Sequence, residues 1–272
     1  MKLKTLPPTF PGLKLRYAAD VAALSPRLGE RFVPLARDAG TSAFLAEAER
    51  GRHRWLKTRL HRVLRQFMSD FDANGLLDMY PLFLASTEHW RKLLGQQRVR
   101  RWLDVGAGSG KVTRTLLPLA EHLVATELSA PMARHLRKAG IECQQLDLEE
   151  HELPGPRFDL VSCLNVLDRT ARPRRMLKRL LELLEPGGRL LIALALPYQP
   201  FYYVGASTPD PLEKLSCTEP TWERAVNTLV ERELEPLGLE LISLSRAPYL
   251  SFGDTQRGLY ELDDAILVLE RG

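Results

Sequence analysis

Downstream of residue 98, short apolar segments alternate with amphipathic helical patterns, and this alternation constrains the fold more than any other feature. Apolar segments of strand length lie at residues 102–106, 123–128, 141–148, 158–164 and 189–196, and helical patterns lie at residues 111–119, 131–139 and 172–184. Such alternation predicts a parallel sheet with helices on both faces. A helix over 219–237 then precedes two further strands, 238–250 and 264–270, whose hairpin-like arrangement predicts an antiparallel strand in the sheet.

The N-terminal third has a different pattern. Residues 1–40 are interrupted by prolines and predict an arm, whereas 41–67 has the apolar spacing of an amphipathic helix, with Gly51 as a point of division. A second helix is predicted over Leu82–Leu94, ending at Gly95. We therefore divide the chain into an N-terminal arm with a helical extension, 1–97, and a catalytic domain, 98–272, and expect the extension to cover the open end of the sheet.

The first helical pattern is strongly basic on its polar side. The cationic residues there are Arg50, Arg52, Arg54, Lys57, Arg59, Arg62 and Arg65. A solvated helix face explains such a row, and so does a surface for nucleic acid or an acidic partner. No nucleic-acid-binding motif accompanies it, so nucleic acid is not the expected partner.

Cysteine usage and hydropathy bear on the compartment. Cys143, Cys163 and Cys217 are odd in number and lack metal-ligand spacing, so neither a disulfide framework nor a metal site is predicted. The first 15 residues contain three prolines and no continuous apolar run, and Leu190–Leu196 is far too short to cross a bilayer. These features predict a cytoplasmic protein without a membrane span, and a monomer is expected.

The segment RWLDVGAGSG places glycines at 106, 108 and 110, directly after the first predicted strand. A dinucleotide fingerprint has its third glycine one residue later, which disfavours a nicotinamide enzyme. With Asp104 two residues before Gly106, the pattern resembles motif I of the seven-stranded S-adenosylmethionine (SAM) methyltransferases. A structural turn with scattered surface acids is the alternative explanation. The resemblance implies a Rossmann-like α/β sheet, SAM as cofactor with S-adenosylhomocysteine (SAH) as product, and Asp104, Gly106, Gly108 and Gly110 at the cofactor.

Two further acids follow at strand ends. Glu127 lies 19 residues beyond Gly108, close to the separation of about 20 at which an acid binds ribose hydroxyls. Asp147 and Leu148 end the third strand, where methyltransferases of this class place groups near the adenine. After the fourth strand, residues 165–169 read NVLDR and lack the paired prolines that are typical of enzymes methylating base or glutamine nitrogens.

The segments SCLNVLDR, EPGGRLLIALALPYQPF, APYLSFGD and YELDDAILVLE are similar to the protein-histidine N-pros-methyltransferase family, of the DREV type. The resemblance runs from about Phe44 to the C-terminus. It implies methyl transfer from SAM to the Nδ1 (pros) nitrogen of histidine in His-x-His sequences of partner proteins. It also implies that Asn165 and Tyr249 contact the cofactor and that Tyr260 contributes to substrate binding. Some family members carry a secretory leader that this sequence lacks, so their compartment is not transferred.

The chemistry of this reaction suggests roles for the residues that follow the fourth strand. Imidazole, with a pKa of about 6.5, is mostly neutral at pH 7 and offers a lone pair without a strong base. Attack through Nδ1 requires the proton on Nε2, and a carboxylate that accepts this hydrogen bond would fix the tautomer and stabilise the resulting cation. Asp168 is the candidate, with Asn165 between cofactor and substrate. Arg169 either anchors the substrate or pairs with an acid. A methyltransferase acting on RNA or a small molecule, and a binding module that only retains SAM, are the alternatives.

Overall fold

The structure is a computed structural model that describes residues 10, 13–50, 55–95, 98–253 and 258–271. A mixed sheet of eight strands forms its centre. The strands are β1 (Leu82–Phe83), β2 (Val99–Val105), β3 (Ala120–Glu127), β4 (Glu142–Gln145), β5 (Phe158–Leu164), β6 (Leu184–Ala195), β7 (Leu239–Phe252) and β8 (Leu259–Arg271). The α-helices are α1 (Pro26–Glu30), α2 (Ala39–Arg50), α3 (Trp55–Leu64), α4 (Asp70–Leu77), α5 (Thr87–Leu94), α6 (Thr113–Leu116), α7 (Ala130–Lys138), α8 (Pro173–Glu182) and α9 (Trp222–Thr228), the last continuing as a π-helical stretch, Leu229–Leu234.

The order of strands across the sheet is β1-β7-β8-β6-β5-β2-β3-β4. Strands β2 to β6 are parallel, and the hairpin of β7 and β8 adds two antiparallel strands, of which β8 lies between β6 and β7. The predicted Rossmann-like sheet of seven strands with an antiparallel ending is confirmed. Strand order reverses beside β2, because β3 lies on one side of it and β5 on the other; ligands of open α/β sheets bind at this point.

The prediction of one helix over Leu82–Leu94 is wrong at its start, because Leu82–Phe83 form the short strand β1 at the edge of the sheet. Leu82 and Phe83 pair with Ser251 and Leu250 of β7, and the helix α5 begins only at Thr87. Helical spacing does not distinguish a helix from a short strand followed by a helix. The late helix also begins at Trp222 instead of at residue 219.

The N-terminal segments pack on the sheet. Besides the β1 pairing, Phe32 forms a bridge with Leu244 of β7, and the Val33 amide donates to the Leu244 carbonyl oxygen at 2.7 Å. The division at residue 97 stays a prediction, but residues on its two sides share one sheet. Within the described ranges, no helix has the length and hydropathy that crossing a membrane requires.

Candidate active site

A cavity of about 690 Å³ opens at the carboxyl ends of β2, β3 and β5. One side consists of the glycine loop and the acids that follow β3 and β4. The opposite side comes from α3, α4 and the segment before β1, and includes His61, Phe71 and Tyr80. The expectation that the helical extension covers the open end of the sheet is therefore confirmed.

The glycine loop turns sharply at the end of β2. Gly106, Gly108 and Gly110 all have positive φ, at 66°, 57° and 78°, and the amides of Gly106 and Ala107 donate to the Thr126 carbonyl oxygen. A Cβ at Gly106 would lie 2.6 Å from Val166 Cγ2, and one at Gly110 would lie 2.7 Å from a Leu136 methyl carbon. These two glycines permit close packing of the turn, whereas L side chains are strained at positive φ.

Gly108 differs from its two neighbours. A Cβ built there meets no atom within 4 Å, and the residue lines the cavity. The backbone at Gly108 thus faces open space that a ligand can approach closely.

Glu127 ends β3 opposite the glycine loop. Its Oε2 accepts a hydrogen bond from the Gly108 amide at 2.8 Å, and its Oε1 accepts one from the Ser129 amide, also at 2.8 Å. Burial raises the pKa of this carboxyl group, although these backbone hydrogen bonds oppose the rise. Each oxygen keeps a further acceptor lone pair, so Glu127 can hold the loop and still accept from hydroxyl groups in the cavity.

Asp104 lies beneath the loop. Its two oxygens accept from the Ser162 hydroxyl at 2.6 Å and the Thr113 hydroxyl at 2.7 Å. Complete burial nevertheless raises the pKa of Asp104 to about 6. The Ser162 hydroxyl belongs to β5 and the Thr113 hydroxyl to α6, so Asp104 ties β2 to both of these elements.

The raised pKa of Asp104 predicts a pH-dependent stability. A folded-state pKa of about 6, above the unfolded value, means that the folded state binds this proton more tightly. The contribution of this proton to the stability of the folded state is complete below about pH 4 and is lost as the pH rises through about 6. We expect Asp104→Asn to be more stable than wild type at pH 7.5 by roughly 1–3 kcal/mol, with the difference vanishing near pH 4. Thermal unfolding between pH 4 and 8 measures this, with exposed Asp210→Asn as the control; equal pH slopes for Asp104→Asn and wild type would refute the assignment.

Asp147 and Leu148 follow β4 and both line the cavity. Asp147 Oδ1 accepts from the Glu149 amide at 2.9 Å, which fixes the turn, and the Leu148 side chain is buried. This pair therefore offers a polar edge next to an apolar surface, as an adenine ring requires.

Asn165 occupies a strained position directly after β5. Its φ is 57°, its amide donates to the Ala193 carbonyl oxygen, and its Nδ2 donates to Asp264 Oδ2 at 2.5 Å. Asp264 is fully buried at the middle of the sheet, and that burial raises its pKa well above the ordinary value. Asp264 thereby holds the Asn165 amide in one orientation at the cavity wall. The sequence did not identify Asp264 as a site residue, because its contact with Asn165 depends on how the strands pair in the sheet.

Asp168 and Arg169 form an ion pair next to Asn165, with Asp168 Oδ2 at 3.5 Å from Arg169 Nε. Arg169 lines the cavity, and its guanidinium lies 5.7–5.8 Å from the ring centres of Phe71, Phe201 and Tyr249. Burial is the largest single effect and lowers the pKa of Arg169, but Asp168, Tyr249 and Asp264 together outweigh it and the net shift is upward. Asp168 is buried and does not line the cavity, so it lies behind Asn165 and Arg169.

Aromatic side chains from five segments complete the cavity. Tyr249 of β7 and Tyr260 of β8 both line it. Burial raises the pKa of Tyr249 to about 12. The ring centres of Tyr80 and Tyr260 are 6.3 Å apart, and those of Phe71 and Tyr203 are 5.3 Å apart, with both pairs in edge-to-face geometry. Sequence reasoning missed Phe71, Tyr80 and Tyr203, because the contacts come from the helical extension and the loop after β6.

Metal and thiol chemistry find no support in the described ranges. No group of three or more His, Cys, Asp or Glu side chains there is arranged to hold a metal ion. Burial raises the pKa of Cys163, and the carboxylates of Asp104 and Asp168 add to the rise. Cys163 is therefore a neutral strand residue, as its position before Asn165 predicted.

The strand order, the glycine turn and the acid paired to it define a class I SAM-dependent methyltransferase, whose methyl donor is SAM. The sequence profile described as DREV methyltransferase matches residues 16–271, and the chain belongs to that family. The residues present fit the donor: Gly108 leaves open space, and Glu127 and Asp147 supply acceptors around it.

Curated proteins similar to this chain are named ubiquinone biosynthesis O-methyltransferase. The one from Aeromonas salmonicida is 30% identical over 101 residues, which are 35% of this chain and 42% of that protein. The one from Xylella fastidiosa is 30% identical over 101 residues, 34% of this chain and 41% of that protein. The chain thus spans about two fifths of the length of these curated relatives.

Similar solved structures are also methyltransferases. The N-methyltransferase NodS from Bradyrhizobium japonicum WM9, in complex with SAH, is 16% identical with a TM-score of 0.45, covering 68% of this chain and 84% of its own. A putative methyltransferase from Bacillus halodurans is 14% identical with a TM-score of 0.48, covering 68% of this chain and 98% of its own.

Proposed function

We propose that this methyltransferase transfers the methyl group to the Nδ1 nitrogen of histidine in His-x-His sequences of protein substrates. Membership of the DREV family over most of the chain supports the proposal. So does Asn165, which lines the cavity and whose buried Oδ1 has no hydrogen-bond partner.

The observation that carries the proposal is a set of buried acceptor oxygens without partners. Asn165 Oδ1, Asp168 Oδ1 and Asp264 Oδ1 are all buried and accept no hydrogen bond. Leaving a buried acceptor unsatisfied costs about 1–3 kcal/mol, and more for a charged group. Of these three residues only Asn165 lines the cavity, and a neutral imidazole with its proton on Nε2 supplies one N–H donor for such acceptors.

Asp168 is the proposed partner of that N–H, which requires the imidazole to pass the wall formed by Asn165 and Arg169 and reach the carboxylate behind it. A carboxylate hydrogen-bonded to Nε2–H selects the tautomer whose Nδ1 carries the lone pair, and it stabilises the positive charge that develops on the ring. Arg169 forms an ion pair with Asp168, and Tyr260 would pack against the ring, since an aromatic side chain offers an apolar face and a polar tip.

The donor is proposed to lie across the glycine loop, at Asp104, Gly106, Gly108 and Gly110. Glu127 would accept from the ribose hydroxyls, Asp147 and Leu148 would contact the adenine, and Asn165 with Tyr249 would close the wall toward the substrate. When bound, SAM supplies an electrophilic methyl group. The chain's contribution is to hold the nucleophile in line with it, which alone supplies much of the rate enhancement.

A peptide series tests the acceptor. A His-x-His peptide incubated with SAM is expected to gain about 14 Da, because one methyl group replaces one hydrogen. Hydrolysis of the product should yield 1-methylhistidine and no 3-methylhistidine. Peptides in which either histidine is replaced by alanine serve as matched controls. Absence of 1-methylhistidine at every enzyme dose would overturn the proposal.

RNA and small phenolic compounds are tested in the same assay as alternative acceptors. Methylation of either one, with no methylation of any histidine peptide, would replace the histidine assignment while keeping the cofactor site. The proposed function would then change in its substrate class only.

A further inference from the structure

Helix α3 and the turn that follows it carry a row of exposed apolar side chains. Leu56, Leu60, Val63 and Phe67 are 65%, 49%, 52% and 75% exposed. Their spacing of four, three and four residues places them on one face of the helix. A contiguous exposed apolar face on a folded chain marks an interaction site more often than an ordinary surface does.

Within the segment that carries this row, the charged side chains are of one sign. Residues 55–67 contain Lys57, Arg59, Arg62 and Arg65 and no acid. Lys57 donates to the Leu77 carbonyl oxygen, and the Arg65 guanidinium stacks on Tyr203 at 4.7 Å, so these two bind the body of the protein. Arg59 and Arg62 are exposed, and a rotation of about 100° per residue sets them on the outward face beside the apolar row.

The combination of an apolar row with adjacent exposed arginines narrows the choice of occupant. A second copy of this chain, paired through the same face, would bring the arginines of the two copies together. RNA would meet four apolar side chains where it needs polar or stacking groups. An occupant that can bury the apolar row and also carries negative charge for the arginines fits this face. An anionic lipid bilayer has both properties, because its apolar interior lies beneath a negatively charged surface.

We propose that the face formed by Leu56, Leu60, Val63 and Phe67, with Arg59 and Arg62, docks this protein on anionic lipid membranes. The inward side of α3 contributes His61 to the cavity wall, and His61 packs edge-to-face on Tyr80 at 5.7 Å. Docking through α3 therefore brings the part of the cavity wall that α3 forms close to the lipid surface. The proposal does not depend on the identity of the methyl acceptor.

Flotation with large unilamellar vesicles tests the surface. The full chain is expected to float with vesicles of phosphatidylglycerol and phosphatidylcholine, to bind pure phosphatidylcholine at least 10-fold more weakly, and to be released by salt, since each arginine near an anionic surface contributes about 1 kcal/mol. Leu60→Asp with Phe67→Asp is expected to lose at least 10-fold in binding. Leu212→Asp, at an exposed leucine that is 63% accessible and outside this face, is the matched control and is expected to bind as wild type.

SAH binding and thermal unfolding of each variant show that the fold is intact. Failure of wild type to bind anionic vesicles, or an equal loss in Leu212→Asp, would overturn the proposal. If vesicles are not bound but the Leu60 and Phe67 changes slow methyl transfer to a peptide, the face is a polypeptide site and the lipid assignment is wrong.

Discussion

Gly108→Val is expected to raise the dissociation constant of SAH by roughly 100-fold while the chain remains folded. A side chain at this position points into the cavity, because a Cβ there has no atom within 4 Å in a residue that lines the site. Inserting methyl groups into occupied space costs about 1–3 kcal/mol, and each 1.4 kcal/mol is a factor of ten in affinity. Isothermal titration with SAH measures the effect.

Gly140→Val provides the matched control for Gly108→Val. Gly140 follows α7 with a φ of 75° and also leaves its Cβ position open, but it does not line the cavity. Both changes carry the left-handed backbone cost of about 1–2 kcal/mol in stability. Only Gly108→Val is expected to lose SAH; equal affinities for the two variants would place the donor elsewhere.

Asp168→Asn is expected to reduce the rate of methyl transfer to a histidine peptide by roughly 10²–10⁴-fold, the range typical of general acid–base groups. SAH affinity should not change, because Asp168 is not among the cavity-lining residues around the glycine loop, where the donor is proposed to lie. An asparagine amide can still accept a hydrogen bond, but it carries no charge to stabilise the imidazolium. Single-turnover rates with saturating SAM and peptide measure this loss.

Asp168→Ala separates the catalytic role from the ion pair. Removing the carboxylate takes its ion-pair partner from the Arg169 guanidinium, which is 18% exposed, and this costs roughly 1–3 kcal/mol of folding stability. Adding Arg169→Met should restore stability without restoring methyl transfer. If the double variant recovers both, or if Asp168→Asn transfers methyl at the wild-type rate, Asp168 acts only as a structural partner of Arg169.

The arrangement of the glycine loop and Glu127 could be predicted from sequence because its geometry is local. The glycine turn and Glu127 belong to consecutive strands, so fixed spacings of a few residues and of 19 residues determine which groups meet. The alternation of strands and helices likewise predicted the parallel sheet, since each βα unit is a nearest-neighbour arrangement.

The substrate half could not be predicted in the same way. Phe71 and Tyr80 reach the cavity through packing of the helical extension, and Tyr203 reaches it from the loop after β6. The pairing of β1 with β7 joins residues almost 170 positions apart. Asp264 lies in a segment that reads as an ordinary strand, and its importance comes from the Asn165 amide on a neighbouring connection. Long-range contacts of this kind leave no periodic signal.

Transfer of a ¹³C-labelled methyl group from SAM to a His-x-His peptide tests the central claim most directly. The Nδ1 nitrogen is bonded to the ring carbon that carries Cβ, so a methyl on Nδ1 lies close to the β protons, whereas a methyl on Nε2 does not. A strong nuclear Overhauser effect between the labelled methyl and the histidine β protons is the expected result. A labelled methyl without that contact, or no transfer to the peptide while SAH binds tightly, would contradict the account.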